Sequence, residues 1–418
     1  MPPDRTDWKR TFWTLCACQC VAMLAFGMAT PFLPLYVQSM GVGDARNAAR
    51  WAGLMSSGGM LVMAAIAPVW GTIADRHGRK PMVTRALFGG GAVVAVMGFA
   101  RSPEQLLALR LVQGLFSGTV SATRTLVTSV APAEQLGYVL GMMQTAAFLG
   151  NTAGPLVGGV IADHVGYGPS FVVTGVLLTA TGVAVLRLVQ EDFSRPAVTE
   201  PGARGLVAAW RLVAGSPGLL ALIATLFFVQ AGMSAVQPVL PLFVGELAGN
   251  GAGVATLSGL MLGAGAATGA LAAGFAGRVG DRLGHTRVVG GCALLGALFY
   301  LPQALVHAPW QLLALRALQG TFTGGLIPGV MAIIAVGTPV ERRGLIFGLT
   351  ATATSLGSAA GPAAGAAVAS VFGLRGAFVV TAAVLSLAGV WVITALRPSG
   401  EAGRARSRPG AAESPAAG

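Results

Sequence analysis

Twelve apolar runs, each long enough to cross ~30 Å of hydrocarbon, restrict this 418-residue chain more than any other feature. They fall near residues 11–37, 52–74, 82–100, 104–128, 137–163, 168–188, 217–245, 254–276, 288–306, 310–335, 343–371 and 377–396. A bilayer offers no partner to a backbone N–H or C=O, so every run must close its own hydrogen bonds as a helix. Only 10% of the residues are charged, against about a quarter in a soluble domain. The expected fold is all-α and integral to the membrane, with twelve transmembrane helices. The opening "MPPDRTDWKR" leads into a run too long for a signal-peptide core and has no clear cleavage site, so it reads as a first span.

In a soluble protein the net charge of +12 would point to nucleic acid. Here the placement of the bases decides otherwise. With the N-terminus inside, the inner segments and span ends hold twenty of the 27 Lys and Arg, and the outer loops hold only Arg46, Arg50, Arg101 and Arg375. By the positive-inside rule both termini are expected in the cytoplasm. The partner of the positive charge is then the lipid bilayer, not a nucleic acid. The four cysteines lie within apolar runs, and "CACQC" lacks a partner cluster, so no metal site is expected.

The two halves repeat each other. "QLLALR" at 105–110 returns at 311–316, and "PFLPLYV" at 31–37 returns as "PVLPLFV" at 238–244. "FVVTGVLL" at 171–178 returns as "FVVTAAVL" at 378–385. A six-helix unit has been duplicated in one orientation, giving two parallel-related six-helix bundles. The expected division is 1–190 for the first bundle, 191–216 for a cytoplasmic linker, 217–397 for the second bundle and 398–418 for a disordered tail.

Four stretches carry the chemistry. "GTIADRHGRK" (71–80) is echoed by "GRVGDRLGHT" (277–286), which places Gly71, Asp75, Arg76, Gly78, Arg79 and Lys80 at one end of span 2, and Asp281 and Arg282 at the same end of span 8. An acid there can sit at the positive N-terminus of another helix; the bases alone could also only anchor the loop. In span 4, Arg110, Gln113, Ser117, Ser121 and Arg124 follow steps of three and four, so one helical face carries all five. An arginine well inside a span costs ~2.5 kcal/mol or more and normally faces a cavity or a partner. Arg124, near the inner end, fits either the cavity or the interface. Span 10 keeps Arg316 and Gln319. Gly150, Gly154 and Gly158 with Pro155 in span 5, and Gly361 and Pro362 with their glycine neighbours in span 11, make small-residue faces for close packing with a bend. Gln19 in span 1 and Gln230 and Gln237 in span 7 are further polar candidates. None of the fifteen acids lies mid-span, and Asp163, Glu246 and His164 are the titratable groups left near the mouths.

Together these motifs resemble the major facilitator superfamily, in its twelve-helix drug:proton antiporter branch. "GTIADRHGRK" resembles that superfamily's loop 2–3 signature, "RLVQGLFSG" (110–118) its proton-exporter signature in helix 4, and "GNTAGPLVGG" (150–159) its antiporter signature in helix 5. The resemblance implies a proton-driven exporter of drug-like molecules in a bacterial inner membrane, active as a monomer, with no cofactor, no enzymatic activity and helix 4 lining the cavity. It implies that Asp75 latches onto the start of span 11, near 343–346. Many such antiporters carry an acid in helix 1 and this chain does not; its two cavity arginines then favour anionic, zwitterionic or neutral amphiphiles. A specific sugar or organic-anion exporter is the alternative.

Overall fold

The computed structural model describes residues 7–191, 215–249, 251, 253–338 and 340–395. The linker and tail expected at 191–216 and 398–418 lie almost wholly outside them. The first half comprises α1 (Asp7–Ala29), α2 (Leu33–Ser39), α3 (Ala45–His77), α4 (Lys80–Met97), α5 (Pro103–Phe116), α6 (Thr119–Val130), α7 (Leu136–Val165) and α8 (Tyr167–Leu188). The second comprises α9 (Pro217–Ala235), α10 (Leu240–Ala248), α11 (Val254–Leu283), α12 (His285–Gln303), α13 (Pro309–Thr323), α14 (Leu326–Gly337), α15 (Val340–Phe372) and α16 (Leu374–Ala395). These sixteen pieces make twelve rods, because spans 1, 4, 7 and 10 are each broken into two. Ten of the rods are long and apolar enough to cross a membrane by composition alone. The other two, α4 and α12, have 18 and 19 residues, and each carries bases in its first two turns.

The breaks correct the reading of these spans as continuous helices. In spans 1 and 7 the repeated prolines do the work: Pro31 and Pro34, and Pro238 and Pro241, withhold N–H groups where α1 gives way to α2 and α9 to α10. Spans 4 and 10 break at glycines, at 117–118 and 324–325.

Packing follows the duplication. In the first half α1 packs on α7, α4 on α8 and α3 on α5; in the second α9 packs on α15, α12 on α16 and α11 on α13. A Cβ on Gly150, Gly154 or Gly158 would strike the carbonyl oxygen of Cys20, Leu24 or Met28, so α1 and α7 touch backbone to backbone. Gly357, Gly361 and Gly365 do the same against Phe227, Ala231 and Ala235. One pair of equivalent positions shows a substitution repaired. The Tyr36 hydroxyl donates to the carbonyls of Met97 and Gly98, both at 3.2 Å, at the end of α4. Its counterpart Phe243 has no hydroxyl; Arg375 lies over that ring, 5.5 Å from its centroid, and donates to Ala304 O at 2.9 Å and Val306 O at 3.2 Å.

The halves meet along two seams, α7 on α11 and α15 on α3. Both seams are tight toward one membrane face, the one that carries residues 40–44, 98–102 and 166. There Gly159 packs on Ala255, Gly259 on Pro155 and Gly53 on Ala366. The hydrogen bonds that cross between halves among the described residues also lie in this half: Ala363 N to Ser57 Oγ at 3.0 Å, and Ala255 N and Thr256 N to Asp163. Toward the other, basic face the same four helices part. Among the described residues, a Cβ on Gly71, Gly141, Gly274 or Gly348 would meet nothing within 4 Å. The basic ends are splayed in this arrangement, and no described neighbour approaches Gly71.

Substituting valine for Gly154 forces α1 away from α7. Overpacking of this kind costs about 1–3 kcal/mol, so the melting midpoint of the detergent-solubilised variant falls by several degrees, and Gly361→Val falls comparably. A thermal-shift assay checks both; unchanged midpoints would mean these helices part without cost.

Candidate translocation site

The broken spans carry the charged groups. On α5 Arg110 donates to Gln113 Oε1, and on α13 Arg316 donates to Gln319 Oε1 at 3.0 Å. The two pairs occupy equivalent positions of the duplication. Arg316 and Gln319 are buried, and Gln319 Nε2 continues to Thr323 Oγ1 at 2.9 Å. The Arg316 guanidinium sits 5.9 Å from the ring centroid of Tyr300, a fully buried side chain on α12. The Nε atoms of Arg110 and Arg316 are both enclosed without a hydrogen-bond partner. Neither arginine has an acidic partner among the described residues. Each is thus an internal positive charge held only by neutral dipoles, an arrangement that costs free energy unless an anion or water shares it.

Span 4 departs from the single polar face expected of it. Gly118 takes φ +108 and Ser117 is extended, so α5 ends and α6 restarts with a new phase. Arg110 and Gln113 stay on α5, Ser117 caps it by donating to Gln113 O at 3.0 Å, and Ser121 and Arg124 belong to α6. A side chain at 118 would be strained at that φ, which only glycine adopts freely. The carbonyls that the break frees cannot be left bare in hydrocarbon. Arg85 of α4 supplies a fork, Nη1 to Leu115 O at 3.0 Å and Nη2 to Ser117 O at 3.1 Å. Trp70 of α3 adds its Nε1–H to Leu115 O at 2.8 Å, and the guanidinium stacks on its ring at 3.7 Å. From the sequence Arg85 is only one more base at an inner span end, and Trp70 carries no signal.

Arg124 donates across to Gln144 Oε1 on α7, a residue the motif reading passed over. Among the other polar candidates, Gln19 is 2% exposed with both amide atoms unpartnered. Gln230 Nε2 lies 3.4 Å from Ser234 Oγ. Gln237 is exposed at the break between α9 and α10.

The repeated charged stretches make the two turns at the basic face. Gly78 (φ +97) and Gly284 (φ +91) let α3 turn into α4, and α11 into α12, within two residues and one residue respectively. In the first copy Glu191 binds the start of α4, accepting from Arg79 N at 2.8 Å and Lys80 N at 2.7 Å, while Lys80 Nζ donates to Leu186 O at 2.9 Å. The second copy pairs Asp281 with His285 at 3.3 Å. Asp75 is exposed and has no hydrogen-bond or ion partner among the described residues, and Arg76 and Arg282 are exposed as well. The contact expected between Asp75 and the start of span 11, near 343–346, falls mostly on residues 341–345, whose side chains lie outside the described set. Among the described residues no group of three His, Cys, Asp or Glu is placed to hold a metal.

A family model described as Major Facilitator Superfamily matches residues 15–274 and 252–417. The chain is 34% identical over 399 residues to the multidrug resistance protein MdtG of Enterobacter lignolyticus, covering 94% of each. It is 35% identical over 392 residues to the protein of that name from Serratia proteamaculans, covering 93% of this chain and 94% of that one. Among solved structures, a bacterial homologue of the human lysosomal transporter Spinster, inward-facing and occupied, superposes with a TM-score of 0.77 at 14% identity. That match covers 94% of this chain and 98% of the other.

Removing the fork in Arg85→Ala leaves Ser117 O without its donor in hydrocarbon, at a cost of about 1–3 kcal/mol. Arg85→Lys restores little, because one ammonium cannot span both carbonyls. Hydrogen exchange read over residues 113–120 rises in both variants, and rises less in Trp70→Phe, where Arg85 still serves Leu115 O.

Proposed function

The chain belongs to the major facilitator superfamily, and on that premise we propose that it exports drug-like small molecules by alternating access, exchanging them for protons. It is a transporter, not an enzyme, and a multi-pass membrane protein. The basic face is the cytoplasmic face of a bacterial inner membrane, with both termini inside, and one chain is the working unit. The arrangement described is then inward-open, with the outer half of both seams shut.

Similarity to the MdtG proteins along nearly the whole chain supports export of drugs. The observation that carries the finer reading is the pair of internal arginines, Arg110 and Arg316, each with an enclosed Nε and neither with a carboxylate beside it among the described residues. An internal positive charge lacking a protein anion suits a cargo that brings one, so anionic, zwitterionic or neutral amphiphiles are favoured over lipophilic cations. The same pair favours one second reading, a specific exporter of a sugar or organic-anion metabolite. That protein would have a narrow substrate range and ignore uncouplers.

Asp75 acts in the other half of the cycle. When the basic face closes, its carboxylate reaches the start of α15, where a helix N-terminus favours an anion by ~0.3–1 kcal/mol or more if partly buried.

A susceptibility panel in a host stripped of its own exporters tests this reading. Wild type protects against anionic and neutral compounds, and an uncoupler removes that protection. A charge-assisted hydrogen bond contributes about 1.5–3 kcal/mol, so Arg110→Ala and Arg316→Ala each lose about tenfold or more in transport affinity at unchanged expression on immunoblot. Asp75→Asn impairs transport with expression intact. Protection confined to lipophilic cations would overturn the cargo assignment, and wild-type rates from Asp75→Asn would remove the latch.

A further inference from the structure

The shut seam contains a helix cap supplied by the opposite half of the molecule. The residue preceding α11 is Gly253, which has no side chain to cap the helix start. Asp163, two residues from the end of α7, takes that place across the seam. Its Oδ1 accepts from Ala255 N at 3.1 Å and its Oδ2 from Thr256 N at 2.7 Å. A carboxylate on the first free N–H groups of a helix satisfies two orphan donors and the positive end of the helix dipole together. The bond cannot survive separation of the halves at this face.

The duplication did not copy this device. The residue equivalent to Asp163 in α15 is Ser370, whose hydroxyl turns back to Ala367 O at 2.7 Å within its own helix. The helix it would cap, α3, carries its own cap: Asp44 accepts from Arg46 N at 3.1 Å. One seam therefore has a cap in trans and the other a cap in cis. The charged cap also has an opposite number at the basic face, where Asp75 has no partner among the described residues while Asp163 is engaged.

We infer that Asp163 is a proton-sensitive latch on this face: ionised, it caps α11 and holds the seam shut; protonated, it loses its charge and one of its two acceptor oxygens, and the seam opens. The groups around it are few. α11 carries no charged side chain before Arg278, at its far end, and α1 has none over 22–29. On its own helix His164 is exposed and turned to Val160 O at 2.8 Å, and α8 contributes Tyr167. Elsewhere on this face Asp44, Arg46, Glu246 and Arg375 share a separate cleft, and Arg50, Arg101, Glu104 and His307 are exposed. The inference uses the alternating access of the reading above, and depends on neither the cargo nor the counter-ion.

The test reads distance without substrate. Phe99 and Leu305 are exposed at this face, one on each half, at 73% and 71%. Spin labels at Phe99→Cys and Leu305→Cys, with the four native cysteines changed to alanine, report the gap by pulsed electron resonance. At neutral pH wild type is mainly short, and stepwise acidification raises the long-distance population several-fold. Asp163→Asn shows the raised population at neutral pH and no further response to acid, whereas Asp163→Glu keeps the acid response. A purely structural role for Asp163 would not flatten the pH profile. An acid response that persists in Asp163→Asn overturns the inference and passes the sensing to another titratable group at this face, Asp44, Glu104, Glu246 or His307. A single unmoving distance in every variant also overturns it, without touching the export reading, which the susceptibility panel decides.

Discussion

Every backbone polar group inside the bilayer must find a partner within the protein, and the rest of this structure is arranged around that demand. It makes the chain helical, and it sets the terms on which a helix is interrupted. Where α5 stops at Phe116, two carbonyls fall free, and an arginine and a tryptophan from two other spans are committed to them. Where α4 and α12 end, a tyrosine hydroxyl and an arginine do the equivalent work from different sequence positions. Where α11 begins with glycine, the missing cap is borrowed from the other half. Each interruption creates a dependency between distant segments, and these dependencies locate the parts that move or bind.

The breaks fall at corresponding places in the two halves, in the first and fourth span of each. They have the same chain position and different fittings. Span 10 carries an equivalent break at 324–325, but positions 276 and 291, which match Trp70 and Arg85, are alanine and glycine. The duplication thus preserved the geometry of the rods and the arginine–glutamine pairs within them while letting the supporting contacts diverge. The two bundles share a scaffold and divide the fine chemistry between them.

How much of this was legible in the sequence depends on how local each signal is. The twelve spans, the repeat and the basic face follow from hydropathy, identity at a fixed offset and charge asymmetry, all of which act over short windows. The breaks in spans 1 and 7 had a visible cause in their repeated prolines, but a run of apolar residues hides a change of helix direction. The break at Gly118 had no distinct signal, since glycine occurs 61 times in the chain. The clamp by Arg85 joins residues thirty apart, and the cap by Asp163 residues ninety-two apart. Pairings at such separations depend on how the helices lie side by side, which no window of sequence contains. Spacing placed Arg110 with Gln113 correctly because both belong to one unbroken helix.

The uneven packing of the glycines has a consequence for protein engineering. Gly71, Gly141, Gly274 and Gly348 face open space in this arrangement, and replacing a helical glycine by alanine gains about 0.8–1 kcal/mol of helix propensity. Selection for heat resistance would therefore enrich side chains at these four positions. Each one added makes the basic ends harder to bring together. The hardiest protein from such a selection would be a transporter arrested halfway through its stroke, and its stability would come from the lost motion.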